Sequence, residues 1–271
     1  MANKILALVN QKGGVGKTTT SVNLAASLAA ISRRVLIIDL DPQGNATMGS
    51  GVDKYKLAFT SGDVLLERAS MADCLIPVNR GAYSLLPANG DLTVAEVTLM
   101  SAREREFKLR QALESPANHF DYVLIDCPPA LNTLTVNALV AAHGVIIPMQ
   151  CEYYALEGLS ALMATIERIR QAANPDLRIT GLLRTMFDPR NNLSNDVSNH
   201  LTSHFGDKVF ETIIPRNVRL AEAPSHGLPV LLYDKASRGT LAYLSLASEL
   251  LRQERCAKKY HSTHFLHTRV T

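Results

Sequence analysis

The sequence has no tryptophan, and aromatic residues make up only 6% of its 271 residues. Small aliphatic side chains must therefore fill the core, as they do in parallel β-sheet proteins. Its four cysteines include no C-x-x-C pair, which argues against a zinc or dithiol redox motif. No apolar run approaches the length of a membrane span. The short run at residues 5–9 leads directly into glycine-rich sequence, so it predicts a strand and not a signal peptide.

Short apolar runs alternate with longer amphipathic stretches along the chain. The runs predict strands at residues 5–9, 35–39, 83–86, 122–126, 144–149, 179–185 and 209–214. The amphipathic stretches predict helices at residues 18–30, 61–67, 94–113, 156–173, 195–205 and 240–258. Continuous apolar strands that alternate with helices are typical of an α/β fold, in which a mostly parallel, twisted sheet carries helices on both faces.

The chain has no internal repeat and no low-complexity linker, so we expect a single domain at residues 1–258. Residues 259–271 lack helical or strand periodicity, and we expect them to form a disordered tail.

Positive charge is concentrated towards the C-terminus. From Pro215 onwards the chain has nine Lys and Arg residues against four Asp and Glu, whereas the remainder has nineteen against twenty-one. A basic region of this kind is suited to a polyanion such as nucleic acid. The same composition also fits a solvated helix face, and composition alone does not separate the two interpretations.

A glycine-rich segment lies between the first predicted strand and the first predicted helix. The usual phosphate-binding loop reads G-x-x-x-x-G-K-[ST]; Gly16-Lys17-Thr18 matches its end, but Gln11 occupies its first glycine position. Backbone N–H groups of such a loop, together with the helix N-terminus, bind phosphate. We expect Lys17 to reach the β- and γ-phosphates and the Thr18 hydroxyl to ligate Mg²⁺. The segment therefore predicts a site that binds and hydrolyses ATP.

Lys12 adds a second lysine at the start of this loop. In the simplest loop geometry, its side chain points away from the loop's own phosphate cradle. It is then able to reach a nucleotide held by a second subunit, as an arginine finger acts in trans. The alternative is an ordinary surface lysine.

Two further predicted strands lead into aspartates. Asp39 and Asp41 follow one strand, and Asp126 ends another. Open α/β sheets bind ligands at the carboxyl ends of their strands. We expect Asp41 to position the attacking water, and Asp41 and Asp126 to join Thr18 at the Mg²⁺ site, Asp126 as the aspartate of a Walker B strand. Each aspartate alone also fits a turn or helix-cap role.

Five segments together resemble the deviant-Walker ATPases and, within them, the ParA/Soj chromosome-partitioning branch. They are K-G-G-V-G-K-T-T at residues 12–19, D-L-D-P-Q-G-N at 39–45, D-C-P-P at 126–129, P-M-Q-C-E-Y-Y-A-L-E-G at 148–158 and I-P-R-N-V-R-L-A-E-A-P-S-H-G at 214–227. The resemblance extends over nearly the whole chain.

The resemblance implies a dimer that forms with ATP and holds the nucleotides at its interface. Lys12 would be the signature catalytic lysine that contacts phosphates across the dimer. Gly13 would allow the two backbones to approach closely, because no Cβ fits there. The implied nucleotide-binding residues are Lys12, Gly13, Gly14, Val15, Gly16, Lys17, Thr18, Thr19, Pro215 and Asn217, the last two at the adenine base.

The resemblance further implies that the dimer binds double-stranded DNA without sequence preference. Arg190 and Arg219 match positions used for this purpose, and Arg216, Lys235 and Arg238 are further candidates. Phosphate contacts by such side chains give salt-sensitive, sequence-independent affinity. A ParB-type centromere-binding protein would stimulate hydrolysis. The expected location is the cytoplasm, in association with the nucleoid and without a membrane partner.

Other functions compete with this interpretation. A MinD-like membrane-associated positioning ATPase needs a C-terminal amphipathic helix with basic and bulky apolar faces, which residues 261–267 do not supply. An iron–sulfur reductase of the nitrogenase iron-protein type shares a cluster through cysteines of two chains. The surroundings of Cys127 and Cys151 do not match that family.

Overall fold

Seven strands form one sheet in the computed structural model, which describes residues 3–78, 82–153 and 155–267, with side chains described as far as Arg255. The strands are β1 (Lys4–Leu8), β2 (Val35–Asp39), β3 (Ile76–Val78), β4 (Tyr83–Leu86), β5 (Tyr122–Asp126), β6 (Gly144–Gln150) and β7 (Arg178–Thr185). Their order across the sheet is β3-β4-β2-β5-β1-β6-β7, and every neighbouring pair is parallel except β3 with β4. The predicted α/β fold with a mostly parallel sheet is confirmed.

The α-helices of the described residues connect these strands. They are α1 (Lys17–Ala30), α2 (Asn45–Gly49), α3 (Ser61–Leu65), α4 (Met71–Cys74), α5 (Leu92–Leu99), α6 (Lys108–Leu113), α7 (Thr133–Ala141), α8 (Ala155–Ala172), α9 (Asn192–Phe205), α10 (Val218–Glu222), α11 (Val230–Tyr233) and α12 (Arg238–His267).

Each face of the sheet has its own apolar layer, because successive side chains of a strand point to opposite faces. On β1, Leu6 and Leu8 belong to the layer that includes apolar residues of α1 and α12. Ile5 and Ala7 belong to the opposite layer, with residues of α7 and α8. Full burial of one leucine or isoleucine side chain contributes about 1.5–3 kcal/mol, so these two layers hold the helices against the sheet.

The carboxyl ends of the central strands meet at one edge of the sheet. In the register of the sheet, Asp126 of β5 is paired with Leu8 of β1 on one side and with Asp39 of β2 on the other. The loops that follow these strands therefore begin side by side. Strands β5 and β6, which are consecutive in the chain, lie on opposite sides of β1. Such a switch point is where open α/β sheets bind ligands.

Residues 209–214 do not form the strand that their apolar pattern predicts. Phe210 N–H donates to the Leu182 carbonyl and Ile214 N–H to the Arg184 carbonyl, so the segment advances four residues while β7 advances two. The N–H groups of residues 211 and 212 donate instead to the carboxylate of Glu249, at 2.7 and 3.0 Å. This surplus length interrupts the ladder beside β7, and the strand prediction is wrong.

The helix predictions also need correction. The predicted helix at residues 94–113 is interrupted, because α5 ends at Leu99 and α6 begins at Lys108. Glu104, between them, has a φ of +52°, which a helix does not accommodate. Helix α7 has no counterpart in the sequence-based prediction, since its mostly apolar, mostly buried residues give no amphipathic period.

Helix α12 runs past the domain boundary predicted at residue 258. The side chains beyond Arg255 and residues 268–271 lie outside the described residues, so a disordered tail at residues 259–271 stays a prediction. Within the described part of the chain, no helix is both long and apolar enough to cross a membrane.

Candidate functional site

The loop between β1 and α1 is shaped by two glycines. Gly14 and Gly16 have φ angles of +73° and +89°, in the left-handed region that side chains rarely permit. Gly16 is the N-cap of α1, whose first N–H groups have no acceptor within the helix. The Thr185 hydroxyl donates to the Val15 carbonyl at 2.8 Å, which fixes the loop to the end of β7. Such a set of N–H donors is suited to an anion such as phosphate.

The loop forms one end of a cavity of about 630 Å³, a volume in the range of small-ligand sites. Met186, directly after β7, also lines it, with seven mostly apolar residues from a second segment: Ile214, Pro215, Arg216, Asn217, Val218, Leu220 and Ala221. The cavity thus joins segments about 200 residues apart in the chain. The predicted site residues that line it are Gly13, Gly14, Gly16, Lys17, Thr18, Thr19, Asp41, Pro215, Arg216 and Asn217.

Asp126 lies beneath this cavity, with no exposed surface. Thr18 Oγ1 donates to its Oδ2 at 2.7 Å, and Ser21 Oγ donates to its Oδ1 at 2.9 Å. Because the Thr18 hydroxyl gives its proton to Asp126, the lone pairs of its oxygen remain for a cation. Oxygen ligands of this kind fit Mg²⁺. The contact of Asp126 with the cavity is thus made through Thr18.

Asp39 and Asp41 occupy different environments, although they are two residues apart. Asp39 is fully buried and accepts hydrogen bonds from the Thr47 N–H and hydroxyl at 2.9 and 2.7 Å and from the Asp41 N–H at 3.1 Å. Asp41 lines the cavity and accepts from the Gln43 N–H at 2.9 Å. Asp39 therefore braces α2, whereas Asp41 presents its carboxylate to a ligand.

Burial dominates the electrostatics of the site. It raises the pKa of Asp126, and the charges of Asp39 and Asp41 add to the effect. It also raises the pKa of Asp39. Burial lowers the pKa of Lys17, although Asp126 acts in the opposite direction. Lys17 Nζ donates to the Lys12 carbonyl at 3.3 Å, and this weakly held cation is suited to an anion in the cavity.

Lys12 lies outside the residues that line the cavity. Its Nζ forms an ion pair with Glu152, just after β6, and both side chains are about half exposed. Its N–H donates to Asn10 Oδ1 at 3.0 Å. A Cβ built on the neighbouring Gly13 meets no atom within 4 Å, and Gly13 lacks a positive φ. Among the described residues, nothing requires a glycine at position 13.

Two of the predicted DNA-binding residues are held by carboxylates of the same chain. Arg190 forms an ion pair with Asp188 at 2.8 Å. Arg219 forms ion pairs with Glu222 at 2.8 Å and with Asp234 at 3.3 Å. All of these groups are at least partly exposed, so the ion pairs are weak and exchangeable.

The other three basic residues lie near these two. A groove of about 340 Å³ is lined by Arg238, Pro189 and Pro215. Pro189 directly precedes Arg190, Pro215 directly precedes Arg216, and Lys235 lies three residues before Arg238. Asp234, the second partner of Arg219, directly precedes Lys235. Arg216, Lys235 and Arg238 have no ion pair with any residue that the structure describes. The structure therefore brings all five basic residues to one region.

Several residues of the site were not predicted, and three of them are informative. Ser21 holds Asp126, and its position three residues after Thr18 on a helix would have indicated a shared face. Glu152 pairs with Lys12 across 140 residues, a contact that spacing does not reveal. Met186 lines the cavity with a φ of +49°, a backbone conformation for which the sequence gives no signal.

Comparison with known proteins gives consistent matches. A family model described as an AAA domain matches residues 3–179. The chain is 51% identical over 254 residues to the chromosome partitioning protein ParA of Caulobacter vibrioides, covering 93% of this chain and 95% of that protein. It is 51% identical over 247 residues to the sporulation initiation inhibitor protein Soj of Bacillus subtilis, covering 91% and 98%.

A solved structure extends the similarity to three dimensions. The crystal structure of cobyrinic acid a,c-diamide synthase from Mycobacterium smegmatis, with a bound ATP analogue and magnesium, has a TM-score of 0.82 and 39% sequence identity. The match covers 94% of this chain and 96% of that chain.

Proposed function

The chain belongs to the ParA/Soj family of chromosome-partitioning ATPases, and from this premise we propose that it uses ATP to control its own dimerisation and, through dimerisation, its binding to DNA. ATP favours the dimer, the dimer binds DNA without sequence preference, and hydrolysis releases it. A ParB-type partner stimulates this slow hydrolysis, and the ATP form is associated with the nucleoid. The observation that supports this proposal best is the cavity, which is lined by Gly13, Lys17, Thr18 and Asp41.

ATP and Mg²⁺ are the ligands of this site. The N–H groups of residues 13–19 and the ammonium group of Lys17 bind the phosphates, which removes the cost of burying that cation without an anion. Thr18 ligates Mg²⁺ with the lone pairs that its bond to Asp126 leaves available. Pro215 and Asn217 hold the base, next to the apolar lining residues Ile214 and Val218.

Asp41 positions the attacking water. One of its oxygens accepts from the Gln43 N–H, and the other is available to a water or to the Mg²⁺ shell. Asp39 cannot take this role, because it is fully buried and accepts three hydrogen bonds. The assignment of the catalytic carboxylate to Asp41 therefore rests on burial and on hydrogen-bond partners.

Gly13 and Lys12 support a dimer with the nucleotide at its interface. Glycine at position 13 has no explanation among the described residues of one chain, whereas a second backbone at close range would exclude a Cβ. The Lys12–Glu152 ion pair is half exposed, so its contribution to stability is only about 0.2–1 kcal/mol. A partner-bound triphosphate offers Lys12 a stronger, charge-assisted contact.

The charge balance of the basic region supports DNA binding that depends on dimerisation. Its five basic residues, Arg190, Arg216, Arg219, Lys235 and Arg238, face three carboxylates, Asp188, Glu222 and Asp234. In one subunit, this region therefore has a small excess of positive charge. Because log K depends on the number of phosphates neutralised, doubling the surface in a dimer raises DNA affinity steeply.

A DNA titration with ATP, with ADP and without nucleotide tests this proposal. We expect salt-sensitive binding to unrelated duplexes with ATP and much weaker binding in the other two states. Equal affinity in all three states would contradict the switch. A parallel co-sedimentation with anionic liposomes and ATP tests the MinD-like alternative, which predicts ATP-dependent membrane binding without ATP-dependent DNA binding.

A further inference from the structure

Met186 has an unusual backbone conformation for a residue that lines the cavity. Its φ is +49°, in the left-handed region that favours glycine. The other non-glycine residues with positive φ in the described part of the chain are exposed: Ser32, Glu67, Ala82 and Glu104. Met186 is half-buried. Strained backbone that the surrounding structure holds in place is often found at ligand sites.

The strain at Met186 comes from a bulge at the end of β7. Ile214 N–H donates to the Arg184 carbonyl at 2.9 Å, and the Ile214 carbonyl accepts from Phe187 N–H at 3.1 Å. The two residues that bond to Ile214, Arg184 and Phe187, are separated by two residues. In a regular parallel ladder, only one residue separates such a pair. Met186 is the surplus residue, and a bulge changes the direction of a side chain. Phe187 also accepts from Arg216 N–H at 3.1 Å, which fixes the far side of the bulge.

Met186 borders two separate cavities. Met186 and Arg216 line both the nucleotide cavity and a smaller cavity of about 160 Å³. Gln150, at the end of β6, donates from Nε2 to the Met186 Sδ at 3.0 Å. The thioether is therefore fixed from the side of the smaller cavity. Met186 lies beside the segment that contains Pro215 and Asn217, because the next residue, Phe187, is bridged to Pro215, and all three residues line the nucleotide cavity.

We infer that Met186 contacts the purine ring of the bound nucleotide and contributes to base selectivity. This inference rests on the proposed function, because the base is that of ATP. A thioether is polarizable and makes favourable contacts with aromatic rings. The bulge brings Met186 to the cavity, and Gln150 holds the sulfur, so the thioether is in position before the nucleotide binds.

The test measures the affinities of the full-length protein for ATP and for UTP, with Mg²⁺, by calorimetry. Met186→Gly removes the side chain and suits the positive φ. We expect it to weaken ATP binding by about tenfold, as loss of a sulfur–aromatic contact allows, and UTP binding by much less, since a pyrimidine offers a smaller ring face. Met186→Leu keeps an apolar contact and should change the ATP affinity by about twofold at most.

Two further variants separate a base contact from a structural role. Ser32→Gly relieves a similar backbone conformation on the exposed surface and should leave both affinities unchanged. Gln150→Ala leaves the bulge intact and releases the sulfur, so it should weaken ATP binding about twofold without a change in melting temperature. Met186→Gly itself should melt no lower than the wild type.

Equal losses of ATP and UTP affinity in Met186→Gly, or no loss, would overturn the inference. So would a wild-type protein that binds ATP and UTP equally well. A wild-type protein that binds neither nucleotide would refute the proposed function as well, so the two failures are distinguishable.

Discussion

The Lys12 ammonium group donates a hydrogen bond to Glu152 Oε2, beside the nucleotide cavity. A phosphate in a partner subunit would compete with Glu152 for this ammonium group. If Lys12 acts across the dimer, we expect formation of the ATP-bound dimer to weaken this ion pair. Glu152 then opposes dimerisation by the free energy of the pair.

Substitution of Glu152 tests this competition. Glu152→Gln should strengthen ATP-dependent dimerisation by up to about fivefold, the equivalent of about 1 kcal/mol for an exposed ion pair. Analytical ultracentrifugation with ATP and Mg²⁺, in an Asp41→Ala background to prevent turnover, measures the effect. Glu157→Gln, an exposed substitution in the first turn of α8, is the matched control. Weaker dimerisation in Glu152→Gln would indicate that Glu152 belongs to the dimer interface itself.

Gly13→Ala should block dimerisation without unfolding the monomer. The added methyl group meets no atom within 4 Å in one chain, and it clashes only with a second backbone. Light scattering with ATP should therefore report monomer, while calorimetry still detects ATP binding. Gly158→Ala, also in open space but on the exposed face of α8, should dimerise normally. An intact ATP dimer of Gly13→Ala would place the close approach elsewhere.

Lys17→Gln should abolish ATP binding and leave the free protein at least as stable. Burial lowers the pKa of Lys17, so the folded protein without nucleotide bears the cost of that charge. Thermal melting without nucleotide is expected at or above the wild-type temperature, and calorimetry should detect no ATP binding. ATP affinity that survives the substitution would contradict the assignment of Lys17.

The neighbouring aspartates should separate stability from catalysis. Asp39→Ala leaves three buried donors without an acceptor and should lower the free energy of unfolding by about 3 kcal/mol. Asp41→Ala loses one hydrogen bond, at about 1 kcal/mol, but should abolish hydrolysis and accumulate the ATP dimer. Chemical denaturation and phosphate release measure the two effects. Hydrolysis at the wild-type rate in Asp41→Ala would assign the water to another group.

The basic region predicts opposite effects for partners in one ion pair. Arg190→Ala should weaken binding to all DNA sequences and lower the salt slope by about 1, whereas Asp188→Asn should strengthen binding because it frees Arg190. Arg219→Ala should act like Arg190→Ala. Arg170→Ala on α8, where the arginine is similarly paired with Glu167, is the control and should change nothing. Salt titrations of DNA affinity measure each slope.

Local sequence was sufficient for the parts of the site that are continuous in the chain. The loop at residues 12–19 and the aspartates at the ends of β2 and β5 follow from glycine content and from apolar runs that stop at a charge. The segment at residues 209–214 misled the same reasoning. Its side chains have the pattern of a strand, but its backbone has too many residues for the ladder beside β7.

The sequence by itself determined the parallel α/β fold and the phosphate-binding loop, because both depend on periodicity and on residues that are neighbours in the chain. Only the tertiary structure decided the contacts between distant segments. It buried Asp39 but left Asp41 facing the cavity, and it paired Lys12 with Glu152. It also placed Met186 in a bulge that lines the cavity. Burial and hydrogen-bond partners belong to the packed chain, and no local pattern specifies which of two similar residues receives them.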